Sequence, residues 1–265
     1  MTALLEKIIR NKEKEVAEKK KRVSPLELLR MAQDRPEPRS LSRQLRQSHT
    51  VGVIAEIKKA SPSAGILRED FHPALLSQTY EKSGACAISV LTDERFFSGT
   101  LEYLAQVRQC VSLPILRKDF IIDPYQVVEA LAYGADAILL ILSVLSQSRC
   151  RELLGLAGEF KLDCLVEIHT PEELEIALAL DADFIGINNR DLNSFRVDFS
   201  TTEKLIVSIP KDVAVVSESG IKSPEDVVRV GEYGVDAVLI GETFMRSSDV
   251  AATVKQFVGF EKWSR

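Results

Sequence analysis

The chain has 265 residues, of which 45% are apolar and 28% charged, and its formal net charge is −5. This supports a substantial core in one or two domains and excludes disorder as the main state. It offers no global positive field for nucleic acid or a membrane surface.

The N-terminal residues Met1-Thr2-Ala3-Leu4-Leu5-Glu6-Lys7 lack the continuous apolar core of a signal peptide. The longest apolar run, 137–142, falls far short of the ~20 residues that span a bilayer. A cytoplasmic protein with no membrane partner is expected. Residues 1–22 hold eight Lys/Arg and four Glu. Glu6–Arg10, Glu15–Lys19 and Glu18–Arg22 are i,i+4 pairs in the favourable order, and Leu5, Ile8, Ile9 and Val16 form a narrow apolar stripe. The pattern predicts a solvated amphipathic helix lying on the main body rather than a nucleic-acid-binding arm. Ser24-Pro25-Leu26-Glu27 caps a second helix, Pro36 and Pro38 mark a joint, and 40–47 reads as a third. Residues 1–48 are therefore read as a helical extension packed on residues 49–265, the whole forming one domain.

The rest of the chain is organised by repeats. Gly84-Ala85-Cys86-Ala87-Ile88-Ser89-Val90, Gly134-Ala135-Asp136-Ala137-Ile138-Leu139-Leu140, Asp181-Ala182-Asp183-Phe184-Ile185-Gly186-Ile187 and Gly234-Val235-Asp236-Ala237-Val238-Leu239-Ile240 start 50, 47 and 53 residues apart. Each follows an amphipathic stretch opened by a proline: Pro73, Pro124, Pro171 or Pro224. Asp123, Thr170 and Ser223 are N-cap candidates with Pro at N1, and Gln126 and Glu173 at N3 can complete capping boxes. Gly134 and Gly234 suit the left-handed position past a helix end. The apolar segments that follow do not alternate, as expected of strands buried on both faces. Further strands are predicted at 51–57, 113–116, 163–166 and 213–216, and helices at 101–110, 147–160 and 201–208. Eight strand–helix units predict a closed (β/α)8 TIM barrel with an N-terminal helical extension. An open doubly wound sheet is the alternative, but no GxGxxG follows the first strand.

Barrel active sites lie at the C-terminal strand ends. Here apolar strands run directly into charged residues. The first ends in Glu56-Ile57-Lys58, the third in Arg117-Lys118-Asp119-Phe120, the fifth in Glu167-Ile168-His169. The sixth ends in Asn188-Asn189-Arg190, the seventh in Glu218-Ser219-Gly220 and the eighth in Gly241-Glu242. Glu56 and Lys58 are i and i+2, so they share one face. Lys118, Glu167, Asn188 and Glu218 converge on the same mouth, where burial beside opposite charge tunes groups for proton transfer; a structural salt-bridge layer is the bland reading. Gly220 and Gly241, after strands seven and eight, suit backbone approach to an anion, and Ser61 and Ser63 can add hydroxyl donors. His49 and His72 read as surface or loop residues; His169, at i+2 from Glu167, could serve as an acid but reads better as a loop residue before the Thr170 cap; Trp263 reads as a tail or helix-packing residue. Cys86, Cys110, Cys150 and Cys164 contain no CxxC pair and read as small buried hydrophobes in a reducing compartment. With three His, they argue against a zinc or iron–sulfur site, and no metal is expected.

Together these motifs resemble the indole-3-glycerol phosphate synthase family. The matching pieces are Glu56-Ile57-Lys58-Lys59-Ala60-Ser61-Pro62-Ser63, Leu91-Thr92 with Phe96-Phe97-Ser98-Gly99, Leu116-Arg117-Lys118-Asp119-Phe120, Val166-Glu167-Ile168-His169, Gly186-Ile187-Asn188-Asn189-Arg190-Asp191-Leu192, Ser217-Glu218-Ser219-Gly220-Ile221 and Ile240-Gly241-Glu242. The resemblance implies a phosphorylated small-molecule substrate, 1-(2-carboxyphenylamino)-1-deoxyribulose 5-phosphate, and acid–base chemistry without a cofactor. It implies Lys118 as general acid on the ketone oxygen, Glu167 as its acid/base partner, and Lys58 assisting dehydration and holding the carboxylate. Glu56 and Asn188 would orient these groups, with Arg190, Glu218 and Ser219 around them. Ser61, Gly220, Gly241 and the Glu242 backbone N–H would meet the phosphate, and Phe97, Phe120, Leu139 and Leu239 would wall the aromatic ring. A Schiff-base aldolase using Lys118 or Lys58 and a phosphate-binding barrel isomerase are the competing enzyme classes. A monomer is expected.

Overall fold

The computed structural model describes residues 2–33, 35–191 and 194–265; Met1 and Leu192, both in sequence motifs above, lie outside them. Eight parallel strands close into a barrel: β1 (Gly52–Ile57), β2 (Ala87–Leu91), β3 (Ile115–Lys118), β4 (Ala137–Ile141), β5 (Asp163–Ile168), β6 (Phe184–Asn188), β7 (Ala214–Glu218) and β8 (Ala237–Ile240). Each pairs in parallel with its sequence neighbours, and β8 returns to β1 with Gly52 opposite Ala237. The helices are α1 (Ala3–Arg22), α2 (Pro25–Gln33), α3 (Leu41–Gln47), α4 (Pro73–Lys82), α5 (Glu94–Phe97), α6 (Leu101–Cys110), α7 (Pro124–Ala132), α8 (Gln147–Glu159), α9 (Pro171–Ala179), α10 (Ser200–Ile206), α11 (Pro224–Glu232), α12 (Glu242–Met245) and α13 (Val250–Gln256).

The caps explain where the helices begin. Asp123 and Gln126 form a full capping box at α7, and Asp226 completes one with Ser223 at α11. Thr170 caps α9, but Glu173 does not complete the expected box; its Oε2 reaches one residue further back, to the His169 backbone N–H at 2.6 Å. Gly134 and Gly234 take φ +88° and +91°, the left-handed stops expected.

Two apolar layers follow from the strand faces. Outward-facing residues such as Val53, Ile88, Ile138 and Val238 pack beneath the helices. Inward-facing Ile54, Leu116, Leu165 and Val216, with Leu139 and Leu239, fill the barrel. Leu41 and Leu45 of α3 join this inner cluster near Gly52 and plug the N-terminal end. The windows predicted for β3, β5 and β7 stop short of their charged residues. In the structure Lys118, Glu167 and Glu218 belong to the strands themselves. Inside a barrel a strand keeps its ladder bonds whatever side chain it carries, so a charge at the mouth does not end it.

The N-terminal helix departs from a solvated face. Its buried residues are Leu5, Ile8, Lys12 and Val16, so a lysine occupies a core position and Ile9 is only half-buried. Glu18 pairs with Lys21 at 2.6 Å rather than with Arg22. Cys150 and Cys164 are buried as expected, but Cys86 and Cys110 are half-buried. Trp263 is exposed in the tail beyond α13. No helix among the described residues is long and apolar enough to cross a membrane.

Candidate active site

Strand geometry places four ionisable residues in one plane. Glu56 on β1, Lys118 on β3, Glu167 on β5 and Glu218 on β7 each stand two residues beyond an inner-core residue: Ile54, Leu116, Leu165 and Val216. Period-two alternation therefore stacks them as one layer above that core, and alternate strands supply each layer in a barrel. Lys118 Nζ lies 3.1 Å from Glu167 Oε2 and 3.0 Å from Glu218 Oε2. Lys58 Nζ lies 2.5 Å from Glu56 Oε2.

The charges set one another. Burial disfavours the Lys118 ammonium, but Glu167, Glu218 and Glu56 together outweigh it and hold the group above the usual lysine range. Burial likewise disfavours the Glu167 carboxylate, and Lys118, His169 and a hydrogen bond from Asn188 bring it below the usual range. Glu218 goes the other way. Burial is the largest cause, with Glu167 and Glu56 adding to it against Lys118, and the carboxyl is pushed up to about 7. The layer thus holds a cation, an ionised carboxylate and a carboxyl poised near neutrality.

Space for Glu218 and Glu56 comes from two glycines. A Cβ on Gly186 would collide with Glu218 Oε1, and one on Gly241 with Glu56 Oε2. Gly220 at φ +96° and Ser219 at φ +69° turn the chain sharply after β7. For a serine this conformation is uncommon and costs strain, which functional loops tolerate.

A cavity of about 800 Å³ opens above the layer. Every residue to which the family resemblance gives a role lies on its wall: Glu56, Lys58, Ser61, Phe97, Lys118, Phe120, Leu139, Glu167, Asn188, Arg190, Glu218, Ser219, Gly220, Leu239, Gly241 and Glu242. Phe97 and Phe120 face each other with ring centroids 6.3 Å apart. The loop after β1 folds into a short antiparallel pair, Ala60–Ser61 with Gly65–Ile66, which carries Ser61. Thr243 Oγ1 donates to the Ile221 carbonyl at 2.7 Å and ties the loops after β7 and β8 together.

The wall also holds residues that sequence reasoning missed. Lys222 and Arg246 add two exposed cations beside Gly220 and Glu242. Thr2, Leu4, Leu5 and Ile8 show that α1 roofs part of the cavity. The fastener is Lys12, whose fully buried Nζ lies 2.8 Å from Asp119 Oδ1 and 3.0 Å from both Asp93 Oδ2 and Glu15 Oε2. Asp119 also accepts from Thr92 at 2.7 Å, from Arg117 at 3.1 Å and from the Phe120 N–H at 2.8 Å. Asp93 Oδ1 caps α5, which carries Phe97. A lysine among i,i+3 and i,i+4 carboxylates looks solvated, and its burial shows only once the strand ends meet it. Of the two readings the sequence offers for His169, its place beside Glu167 is nearer the acid than the loop residue. Its side chain is 11% exposed and lies between Glu167 and Glu173 rather than in a free loop. His72 is exposed beside Asp70, and His49 is exposed.

A closed (β/α)8 barrel with this ionisable layer beneath its mouth is an enzyme equipped for acid–base chemistry. The family model described as indole-3-glycerol phosphate synthase matches residues 5–257. A protein of that name from Thermoanaerobacter pseudethanolicus is 49% identical over 255 residues, 96% of this chain and 97% of that protein. One from Dehalococcoides mccartyi is 46% identical over 258 residues, 96% of this chain and all of that protein. Among solved structures, thiamine phosphate pyrophosphorylase from Pyrococcus furiosus superposes with a TM-score of 0.60 at 20% identity, over 80% of this chain and 95% of that one, which shows the shared barrel alone. The chain belongs to the indole-3-glycerol phosphate synthase family.

Proposed function

We propose that this chain converts 1-(2-carboxyphenylamino)-1-deoxyribulose 5-phosphate into indole-3-glycerol phosphate, carbon dioxide and water, a carboxy-lyase step of tryptophan biosynthesis. The observation that carries the reading is Lys118, held as an ammonium between Glu167 and Glu218 at the floor of a cavity with one aromatic and one glycine-rich side.

Ring closure breaks the aromaticity of the aniline ring, so the ketone must first be made electrophilic. Lys118 donates to the ketone oxygen as its general acid. The new bond forms at the ring carbon that bears the carboxylate, which then leaves as carbon dioxide and restores aromaticity. The hydroxyl left behind departs as water with Lys58 assisting, while Glu167 takes the proton from the adjacent carbon. Glu56, paired with Lys58, and Asn188, bonded to Glu167, hold these groups in place. Arg190, Glu218 and Ser219 surround the sugar chain. Ser61, Gly220, Gly241 and the Glu242 N–H receive the phosphate, and Phe97, Phe120, Leu139 and Leu239 wall the aryl ring. Side-chain acids and bases suffice for each step, so the reading needs no metal or organic cofactor.

The reading also takes the protein to be a cytoplasmic monomer in which residues 1–48 and the barrel form one domain. The roof made by α1 and the plug made by α3 support the last point. The test is incubation with the substrate while indole fluorescence is followed. Product should accumulate with the purified chain, and Lys118→Ala should lose at least ~10²-fold in turnover, the usual worth of a positioned acid. Near-normal turnover by that variant would remove Lys118 from the role. Borohydride trapping of a covalent adduct with an aldehyde phosphate would point to Schiff-base chemistry instead.

A further inference from the structure

The reaction proposed above does not balance in protons within the site. Two protons go onto the ketone oxygen, one to make the hydroxyl and one to release it as water. One comes off the ring carbon beside it. Carbon dioxide leaves with no proton, so each turnover consumes one proton from solvent. Substrate occupies the mouth that Lys118 and Lys58 face, which leaves the question of how that proton enters.

We propose that His169, backed by Glu173, is the entry relay that delivers this proton to Glu167. The assignment rests on the reading of the site given above. The two oxygens of Glu167 face different partners: Oε2 lies 3.1 Å from Lys118 Nζ, and Oε1 lies 3.5 Å from His169 Nε2. On its other side the imidazole Nδ1 lies 3.3 Å from Glu173 Oε2, which also accepts the His169 backbone N–H at 2.6 Å. His169 does not line the cavity, so it approaches Glu167 from the α9 side while substrate covers the front. Glu173 is the more exposed end of the chain of groups, at 17% against 11% for His169 and 5% for Glu167. His169 Nε2 is buried and has no hydrogen-bond partner among the described residues, and the carboxylate oxygen it faces is Glu167 Oε1.

The charges keep the relay loaded at rest, and Glu167 can take the proton once Lys118 has given up the charge that holds it ionised. Burial disfavours the imidazolium, but the Glu173 hydrogen bond and the charges of Glu167, Glu173 and Glu218 outweigh it and hold the ring above the usual histidine range. Lys118 is the cation that shares Glu167 and Glu218 with it. In the step itself the imidazolium loses its Nε2 proton to Glu167 Oε1. Nδ1–H stays with Glu173 during the transfer; the neutral ring then flips so that its bare Nε2 faces Glu173, takes a proton there from solvent, and flips back before the next turnover. Glu167, now a carboxylic acid, rotates its carboxyl and reloads the Lys118 amine that protonated the ketone oxygen; Lys118 then gives the second proton to the departing hydroxyl, with Lys58 assisting, and the proton that Glu167 takes from the adjacent carbon reloads Lys118 again. In the relay itself no bond other than N–H and O–H forms or breaks.

The test compares wild type with His169→Asn, His169→Ala and Glu173→Gln, following indole fluorescence across pH. Wild type should turn over; if it does not, the reading of the site fails before the relay is at issue. His169→Asn should lose at least about 10-fold in kcat, short of the ~10²–10⁴-fold worth of a direct general acid, with KM held within about twofold. Its kcat should also lose the alkaline decline that wild type shows as His169 deprotonates. Imidazole should rescue His169→Ala in proportion to imidazolium, and Glu173→Gln should shift the alkaline limb to lower pH. An unchanged kcat and pH profile in His169→Asn would overturn the relay. So would a loss of turnover that imidazole does not restore, since that is the behaviour of a merely structural loop residue.

Discussion

Lys12→Met isolates the contact that holds the N-terminal helix on the barrel. Methionine keeps the length of the side chain and its apolar stem but removes the charge. In wild type the ammonium is fully buried, and its partners Asp93 and Asp119 are 0% and 2% exposed. The substitution leaves these two carboxylates facing one another across a dry gap, with Arg117, shared between Asp119 and Glu129, the cation that remains beside Asp119. Removing one partner of a buried ion pair costs about 3–5 kcal/mol, because the remaining charge stays uncompensated. At about 2–4 °C per kcal/mol for a chain near this size, Tm should fall by roughly 6–20 °C. The pH dependence gives a sharper check. Burial works against the Lys12 ammonium, but Asp119, Asp93 and Glu15 hold it above the usual lysine range. Its contribution is therefore complete below the unfolded lysine value and lost only as pH rises through the higher folded one. Burial also works against the Asp119 carboxylate, which Lys12 and Arg117 hold well below the usual range. Its contribution is complete above the unfolded aspartate value and lost as pH falls through the folded one. Burial holds Asp93 above its ordinary value even with Lys12 present. In Lys12→Met one of the two carboxylates must take a proton, so the gap to wild type should be largest near neutrality and close toward pH 4. Urea denaturation at a series of pH values measures both quantities. A variant within about 1 kcal/mol of wild type at pH 7 would refute the reasoning, since that is the range of an exposed pair. Adding Asp93→Asn should recover part of the loss.

Gly186→Ala places a methyl group where Glu218 Oε1 sits, so the carboxyl must move and Lys118 with it. Overpacking should cost about 1–3 kcal/mol by denaturation, and turnover should fall further than that loss alone explains. Unchanged kcat would show that Glu218 is free to shift. Glu218 itself, with its carboxyl pushed up to about 7, gives a signed prediction. A raised folded pKa stabilises the fold below the unfolded value and loses that contribution as pH rises through about 7. Wild type should lose stability over that window, and Glu218→Gln should remove the dependence. Over the same window ionisation adds a negative charge facing an anionic substrate, so KM should rise with pH in wild type and stay flat in the variant. Phe120→Ala should raise KM more than it lowers kcat if Phe120 walls the aryl ring as proposed, because such a wall binds ground state and transition state alike. Equal losses in kcat and kcat/KM would place Phe120 in the transition state instead.

Much of this site could be read from the chain because a barrel repeats. The prolines at 73, 124, 171 and 224 and the apolar segments behind them report local choices of cap, helix and buried strand, each made within about fifteen residues. Lys118, Glu167 and Glu218 announce themselves as charges on the end of apolar runs. What the chain hides is pairing across distance. Lys12 stands at i−3 to Glu15 in a helix full of such pairs, and nothing local distinguishes it from Lys14 or Lys19. Its burial is decided by Asp93 and Asp119, which arrive from β2 and β3. His169 is only half legible for a related reason. Its position beside the Thr170 cap reads as a loop, and only the retreat of Glu173 from the expected capping box turns it toward Glu167.

The closed topology itself leaves one carboxyl of the layer short of a partner. In a barrel of eight strands each interior layer takes one side chain from every second strand. Here the layer at the mouth receives three carboxylates and one ammonium, from β1, β7, β5 and β3. Lys118 satisfies two of the carboxylates at once, and Glu56 turns to Lys58. One cation cannot hold both Glu167 and Glu218 ionised at full strength in a dry site. The asymmetry is set from outside the layer, by Asn188 and His169, which both favour charge on Glu167. The even strands β4, β6 and β8 contribute Leu139, Gly186 and Leu239 just below, so on the side of Glu218 little polar neighbourhood is left to solvate it. The group that gives up its charge is therefore fixed by neighbours on β6 and in the loop after β5. A change at Asn188 or His169 should move the proton from Glu218 toward Glu167 without touching either carboxyl.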